Sequence, residues 1–391
     1  MDYKVILKSK RADVLSSYRH PWVFSKGLAH RERFPAGTQV RVVSQDGRHL
    51  GWGFYHPDNP IALRMVTFEK ESMDTESWRQ RLDQAINLRK TCLPADAQNY
   101  RLIHGENDGF PGLTVDRFGP LLCLQSNSAG FEAFKSELAA WLIEKTGAQA
   151  VYERSEGHAR KQEGLAPAKG FLAGTMEFPL DIKEDGFQLQ IDPAHDQKTG
   201  FYLDQRQQRQ WLEQRVRGKS VLDLCCYTGG FTLSALRGGA ASVTSVDSSK
   251  RALGLLDQNI KANGLDDDRQ TSVEANVFEW LKGKPEQTYD VVILDPPSLA
   301  KSFHASEKAR KAYRAINRDV SRQVRPGGLL MSFSCTGVVK SEEFSRSVFL
   351  GLRDAKRDGL IIDHFQAGPD HPVNLCFPEG SYLKGLAVYL T

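Results

Sequence analysis

Residues 220–231 read SVLDLCCYTGGF, and the reading of this stretch decides the fold. An apolar run of strand length stops at two glycines, after which GFTLSALRGG (230–239) takes up helical spacing. The same alternation runs outward toward the C-terminus. SVTSVD (242–247) reads as a strand and SKRALGLLDQNIKANG (249–264) as a helix. TSVEAN (271–276), the NVFEWLKG helix (276–283), YDVVILDPP (289–297), a helix through AYRAINRDVSRQV (312–324) and GGLLMSFSC (327–335) follow. Strands that are apolar on both faces and alternate with helices predict a doubly wound, mostly parallel α/β sheet.

Two other textures precede this half. YKVILK (3–8), TQVRVVSQDGRHLGWGFYH (38–56) and IALRMVTF (61–68) read as short strands, with a hairpin turn at Gln45-Asp46-Gly47, and together predict a small β-barrel. Trp78, Leu82, Ala85, Ile86 and Arg89 then recur at helical spacing, with Asp74 and Glu76 at the start and Pro94 beyond the end. Strand-like GLTVDRF (112–118), PLLCLQSN (120–127) and AVYERS (150–155) surround a helix expected from Phe131 to Glu144. EGHARKQEGLAPAKG (156–170) reads as a mobile loop before FLAGTMEFPLDIKEDGFQLQID (171–192). The expected domains are a barrel over 1–72, a connector helix and central α+β unit over 73–190, and the α/β sheet over 191–391. The central unit shows no chemical constellation, so its expected role is positioning.

Apolar residues make up 40% and charged residues 26% of the 391, enough for a substantial core. No apolar run reaches the roughly 18–20 residues of a membrane helix, and the first residues lack a secretory h-region, so a cytoplasmic protein is expected. Six cysteines without paired C-x-x-C spacing exclude a disulfide scaffold and a structural zinc motif, and no metal is expected. Net charge is only +4, yet residues 1–70 hold 12 Lys+Arg against 6 Asp+Glu. Clusters such as Lys8, Lys10, Arg11 and Arg19 can face phosphate or form a solvated basic surface.

Ligands of doubly wound sheets bind outside the carboxyl ends of the strands. The first strand ends in Asp223 and the turn Tyr227-Thr228-Gly229-Gly230-Phe231, where glycines let backbone N–H groups approach a ligand at a helix start. The second ends at Asp247-Ser248, 24 residues after Asp223. A carboxylate there can accept both ribose hydroxyls of a nucleoside, or cap the following helix beside Ser248 and Ser249. The third ends at Asn276-Val277, whose amide can accept from an adenine amino group. The fourth ends at Asp295-Pro296-Pro297, a carboxylate beside two rigid peptide units suited to holding a planar base.

Dinucleotide binding asks for G-x-G-x-x-G and a phosphate-transfer site for G-x-x-x-x-G-K-[ST], and the chain has neither. Tyr227 crowds the phosphate position but suits a sulfonium, by a cation–π contact. The remaining fit is S-adenosylmethionine.

GENDGFPGLTVDRFG, GFYLDQR, DLCCYTGGF, SVDSSKRAL, VILDPPSLAKS, SFSC and HPVNLCFPEGSYLKGL occur in this order over nearly the whole chain. They resemble the bacterial 23S ribosomal RNA cytosine-C5 methyltransferases. The resemblance implies a PUA-like barrel, a central α+β domain and a Rossmann-like class I methyltransferase sheet with a final antiparallel strand, LKGLAVYL (383–390). It implies ribosomal RNA as partner, leaves a homodimer open, and implies that Phe201–Arg206, with Tyr202, Asp204 and Gln205, closes over the cofactor.

Cytosine C5 is a poor nucleophile, and enzymes of the resembled type add a thiolate to C6 to activate it. Cys335 is the candidate, at the end of the fifth strand beside the strand that ends at Asp295, whose carboxylate would serve the N3 edge of the base. Cys225 and Cys226 read as packing, Cys92 and Cys123 as structural, and Cys376 as unresolved. Ser298 stands where many RNA cytosine-C5 enzymes carry a second cysteine, and Asn276 where an Asp is commoner. Lys198 and Lys301 are further candidates for RNA phosphate. Two rival functions stay open: methylation of a base nitrogen, and a non-catalytic RNA-binding role in ribosome assembly.

Overall fold

The computed structural model describes residues 3–195, 199–265, 268–283, 288–300 and 305–391. They form two compact units, one of residues 1–184, 191–201 and 369–380, the other of 185–190, 202–368 and 381–391.

The first unit starts with β1 (Lys4–Leu7), α1 (Ser9–Tyr18), β2 (Trp22–Phe24), β3 (Gln39–Ser44), β4 (His49–Tyr55) and β5 (Ile61–Thr67). The strands pair in the order β1-β3-β4-β5-β2 around Val5, Leu7, Val23, Val40, Val42 and Leu63. The β3–β4 hairpin forms where Gln45-Asp46-Gly47 placed it, with Gly47 at φ 87°. Next comes α2 (Thr75–Cys92), whose Asp74 carboxylate accepts from the Ser77 N–H at 2.8 Å. Such a cap stabilises a helix by about 1 kcal/mol. Trp78, Leu82, Ala85, Ile86 and Arg89 are its buried face. Arg89 is only 2% exposed and is tolerated there because Asp108 meets it at 2.7 and 2.8 Å.

A second sheet holds β6 (Asn99–His104), β7 (Leu113–Phe118), β8 (Leu121–Ser126), α3 (Lys135–Thr146), β9 (Ala150–Ser155), α4 (His158–Gln162) and β10 (Ala168–Ala173). Its strand order is β10-β9-β8-β7-β6. The helix expected over Phe131–Glu144 begins four residues later, after a short 3-10 turn at Ala129–Phe131. The stretch 156–170 is a correction: it carries α4 and the start of β10 rather than a plain loop. Buried Arg160 organises it by pairing with Glu132 at 2.8 and 3.0 Å and donating to the Ser126 and Ala166 carbonyls. β11 (Leu180–Glu184) ends this part of the chain.

The second unit has all but the last residue of β12 (Phe187–Ile191), then α5 (Arg206–Glu213), β13 (Ser220–Leu224), α6 (Gly230–Arg237), β14 (Ser242–Asp247), α7 (Lys250–Ala262), β15 (Gln270–Glu274) and α8 (Val277–Lys282). It continues with β16 (Tyr289–Leu294), α9 (Ser306–Ser321), β17 (Val324–Ser334), α10 (Ser341–Asp354), β18 (Gly359–Gln366) and β19 (Lys384–Leu390). Seven strands pair in the order β15-β14-β13-β16-β17-β19-β18. The first five are parallel, and β19 is antiparallel to both neighbours. The last strand therefore lies inside the sheet, with β18 at its edge. The order reverses at β13, where β14 lies on one side and β16 on the other, which puts the ligand crevice at the ends of these strands. Among the described residues no helix is long and apolar enough to cross a membrane.

Candidate active site

The chain leaves β13 at Leu224 and turns through three left-handed residues, Cys225 (φ 62°), Tyr227 (φ 51°) and Gly229 (φ 84°). A side-chain-bearing residue held there costs about 1–3 kcal/mol, so its surroundings must over-determine it. They do. The N–H groups of Cys225 and Cys226 donate to the Val246 carbonyl at 2.9 and 3.2 Å, and the Tyr227 N–H donates to Asp247 Oδ2 at 3.0 Å. Asp247 Oδ1 accepts from the Ser249 N–H at 2.8 Å, while the Ser249 hydroxyl caps α7 through the Ala252 N–H. The cap thus falls to Ser249. Asp247 ties the ends of β13 and β14 together and keeps a lone pair on each oxygen for a pair of hydroxyls. Ser248 is exposed beside it.

Asp223 is buried at 1% exposure. Its Oδ2 accepts from the Thr232 hydroxyl at 2.8 Å, and Thr232 in turn meets the Ser245 hydroxyl at 2.8 Å. Its Oδ1 has no partner among the described residues, and burial pushes the carboxyl up to about 7. Thr228 is buried, with its carbonyl bonded to Asn259 Nδ2 at 3.2 Å. Gly230 opens α6, and Phe231 stacks on Phe333 at 5.7 Å between centroids. Asn276 differs from the acceptor role expected of it. Its side-chain oxygen accepts from the Phe278 and Glu279 N–H groups as the cap of α8, which leaves the amide NH2 to meet a ligand. Val277 is buried behind it.

The ends of β16 and β17 are neighbours in register, Leu294 opposite Ser332. Cys335 is half-buried, and its thiol donates to the Pro296 carbonyl at 3.9 Å. Asp295 Oδ2 accepts from Gln205 Nε2 at 3.0 Å. The thiol thus lies against the backbone of the residue that follows Asp295. The Tyr202 ring sits edge-on to Tyr227 at 5.3 Å, and Arg209 fixes the Tyr202 carbonyl at 2.8 Å. Burial, then the charge of Asp295, holds the Tyr202 hydroxyl well above its ordinary range. Asp204 accepts from the Tyr382 hydroxyl at 2.6 Å. Burial also pushes the thiols of Cys225 and Cys226 far up, which suits packing residues. Ser298 donates to the Ala300 carbonyl within its own loop.

The remaining candidates lie elsewhere. Lys198 and Lys301 fall outside the described residues. In the first unit Lys8 is exposed and donates to the Lys26 carbonyl at 3.1 Å. Arg11 lines a cavity of about 410 Å³ together with Tyr18, His20, Trp22 and Cys376. Cys376 accordingly groups with the barrel helix. Sequence reasoning missed Thr232, which bonds Asp223, and Lys384, whose signal was a lysine at the head of an apolar strand.

Asp223 Oδ1 and Gln205 Oε1, buried acceptors without a partner among the described residues, suit a ligand rich in donors. S-adenosylmethionine is such a ligand, with an ammonium, two ribose hydroxyls and an adenine amine. Asp223, Asp247, Tyr227, Tyr202 and Gln205 are the residues that would hold it.

The chain is similar to known proteins over nearly its whole length. Residues 133–344 match the S-adenosylmethionine-dependent methyltransferase family, and residues 5–68 match a PUA-like domain. The chain is 39% identical over 393 residues to the ribosomal RNA large subunit methyltransferase I of Shewanella denitrificans, covering 99% of both chains. It is also 39% identical to the Klebsiella pneumoniae protein of that name, over 98% of this chain and 97% of that one. A SAM-dependent methyltransferase from Streptococcus mutans has the same fold, with a TM-score of 0.85 at 24% identity over 99% of this chain and 100% of that one. A methyltransferase structure in complex with SAH scores 0.86 at the same identity and coverage. The chain belongs to the S-adenosylmethionine-dependent methyltransferases that carry a PUA-like domain, in the ribosomal RNA large subunit methyltransferase I family.

Proposed function

We propose that this protein methylates C5 of a cytosine in large-subunit (23S) ribosomal RNA through a transient covalent bond to Cys335. The observation that carries this reading is the Cys335 thiol against the Pro296 carbonyl, beside the Asp295 carboxylate that Gln205 holds. A base-nitrogen methyltransferase has no need of a thiol at that place.

The Cys335 thiolate attacks C6, forming the S–C6 bond and moving the C5=C6 electron pair onto C5. The Asp295 carboxylate accepts from protonated N3 and so stabilises the electron-poor ring that the thiolate attacks. S-adenosylmethionine, when bound, supplies the electrophilic methyl group that C5 takes. Loss of the C5 proton to a base returns its electron pair to C5=C6 and expels the thiolate, freeing the product and the enzyme. Tyr202 and Tyr227 shield the site from water and offer aromatic faces to a sulfonium. Lys8 and Arg11, with Lys198 and Lys301, contact RNA phosphates.

RNA carrying 5-fluorocytosine tests the reading, because fluorine at C5 cannot leave as a proton and the adduct persists. A denaturation-resistant protein–RNA adduct is expected with the native protein and not with Cys335→Ala, which should also lose at least 1,000-fold in methyl transfer, about 4 kcal/mol of barrier. No adduct with the native protein, or full activity in Cys335→Ala, would reject it.

A further inference from the structure

Lys384 opens β19 opposite Ser334, the residue before Cys335. It is 6% exposed, deep enough that an ammonium must be compensated. Its Nζ donates to the carbonyls of Thr336 and Val339, the latter at 2.8 Å. An ammonium has three N–H donors, so the third is uncommitted among the described residues, and no carboxylate there forms an ion pair with it. Buried lysines are ordinarily matched with an anion. This one is bonded to the loop that follows the thiol.

From this placement we infer that Lys384 is a positioning residue for the nucleophile: its ammonium supplies the positive charge that favours the Cys335 thiolate and fixes the loop that carries it. The inference rests on the thiolate mechanism proposed above, and its test is chosen to be separable from that mechanism. Several groups on neighbouring elements interact with the site. Asp295 at the end of β16 opposes a thiolate; Tyr202 before α5 and Tyr313 on α9 are phenols pushed up by burial, Tyr313 to about 12. Glu343 on α10 also favours charged Lys384, after Cys335 itself. Burial lowers Lys384 to about 8, so the ammonium is present at neutral pH and fades above that value.

The test is the rate at which iodoacetamide alkylates Cys335, followed peptide by peptide by mass spectrometry from pH 5 to pH 10. In the native protein the midpoint should lie below the ordinary thiol value of about 8.5. Lys384→Gln keeps an N–H donor for the carbonyls but no charge. Its midpoint should rise by at least one unit, a tenfold slower reaction at pH 7 that recovers at high pH. Lys384→Arg should restore most of the native profile. A native midpoint at or above 8.5 overturns the inference without any variant. So does a Lys384→Gln profile that is lowered equally at every pH, the mark of a purely structural lysine. Adduct formation with 5-fluorocytosine RNA is measured in parallel. A missing adduct with an intact alkylation shift rejects the cytosine mechanism and leaves the Lys384–Cys335 coupling standing.

Discussion

Asp223 is buried with one oxygen unmatched, and its carboxyl is raised to about 7 from the usual value near 3.9. A group raised in the folded state contributes stability that is present below its unfolded value and lost as pH rises through its folded one. The ligand-free protein therefore loses stability from this carboxyl between about pH 4 and pH 7. Asp223→Asn removes the charge and keeps the shape. At pH 8 the variant should be more stable than the native ligand-free protein, by on the order of 1–4 kcal/mol, with the gap closing toward pH 4. Calorimetric binding of S-adenosylmethionine should weaken at least tenfold, because the unmatched acceptor is lost. A variant less stable at every pH would show that Asp223 serves the fold and not the ligand. The same reasoning separates the cysteines. Cys123, Cys225 and Cys226 are pushed up by burial, whereas Cys335 sits at a strand end beside polar groups.

Among the elements, the turn from β13 into α6 is the most constrained. Gly229 is in the left-handed region, and a Cβ there would lie 2.0 Å from Leu256 Cδ1 on α7. Gly229→Ala should lower stability by at least about 2 kcal/mol, read as a fall in thermal midpoint, and weaken S-adenosylmethionine binding as α6 is displaced from α7. Unchanged values for both would mean that the turn is looser than this packing implies. This turn was legible in the sequence because two glycines interrupt an apolar run, a pattern with few structural alternatives. Other elements were less legible for physical reasons. The face of α1 buries only Ala12 and Leu15, too little apolar material to stand out as a period. α4 is held by Arg160 and its carboxylate partner, and hydrophobic periodicity is blind to buried charge pairs. The strand ends singled out Asp295 and Cys335 as candidates, but the contact of Gln205 with Asp295 joins residues 90 positions apart and needs the folded chain. That the Asn276 oxygen caps α8 was not legible, because a cap and an adenine acceptor ask for the same side-chain oxygen.

Over the whole molecule, charge is distributed unequally in a way the net value of +4 conceals. The first 70 residues carry twice as many basic as acidic side chains, and the remainder is close to balanced. RNA binding that releases counterions weakens with salt in proportion to the number of phosphates neutralised, by about 0.7–0.9 in the log–log slope per contact. Our proposal gives Lys8 and Arg11 such contacts. The Lys8 ammonium is exposed at the start of α1, and Arg11 lines the cavity beside exposed Tyr18. Neither belongs to the unit that contains Cys335. Replacing both with Ala should therefore lower affinity for ribosomal RNA and flatten the salt slope by about 1.4–1.8, measured by filter binding between 50 and 300 mM KCl. S-adenosylmethionine affinity and the alkylation profile of Cys335 should stay unchanged. An unaltered slope would mean that the basic surplus is a solvated face, and the grip on RNA would then have to be sought in the unit that carries the chemistry.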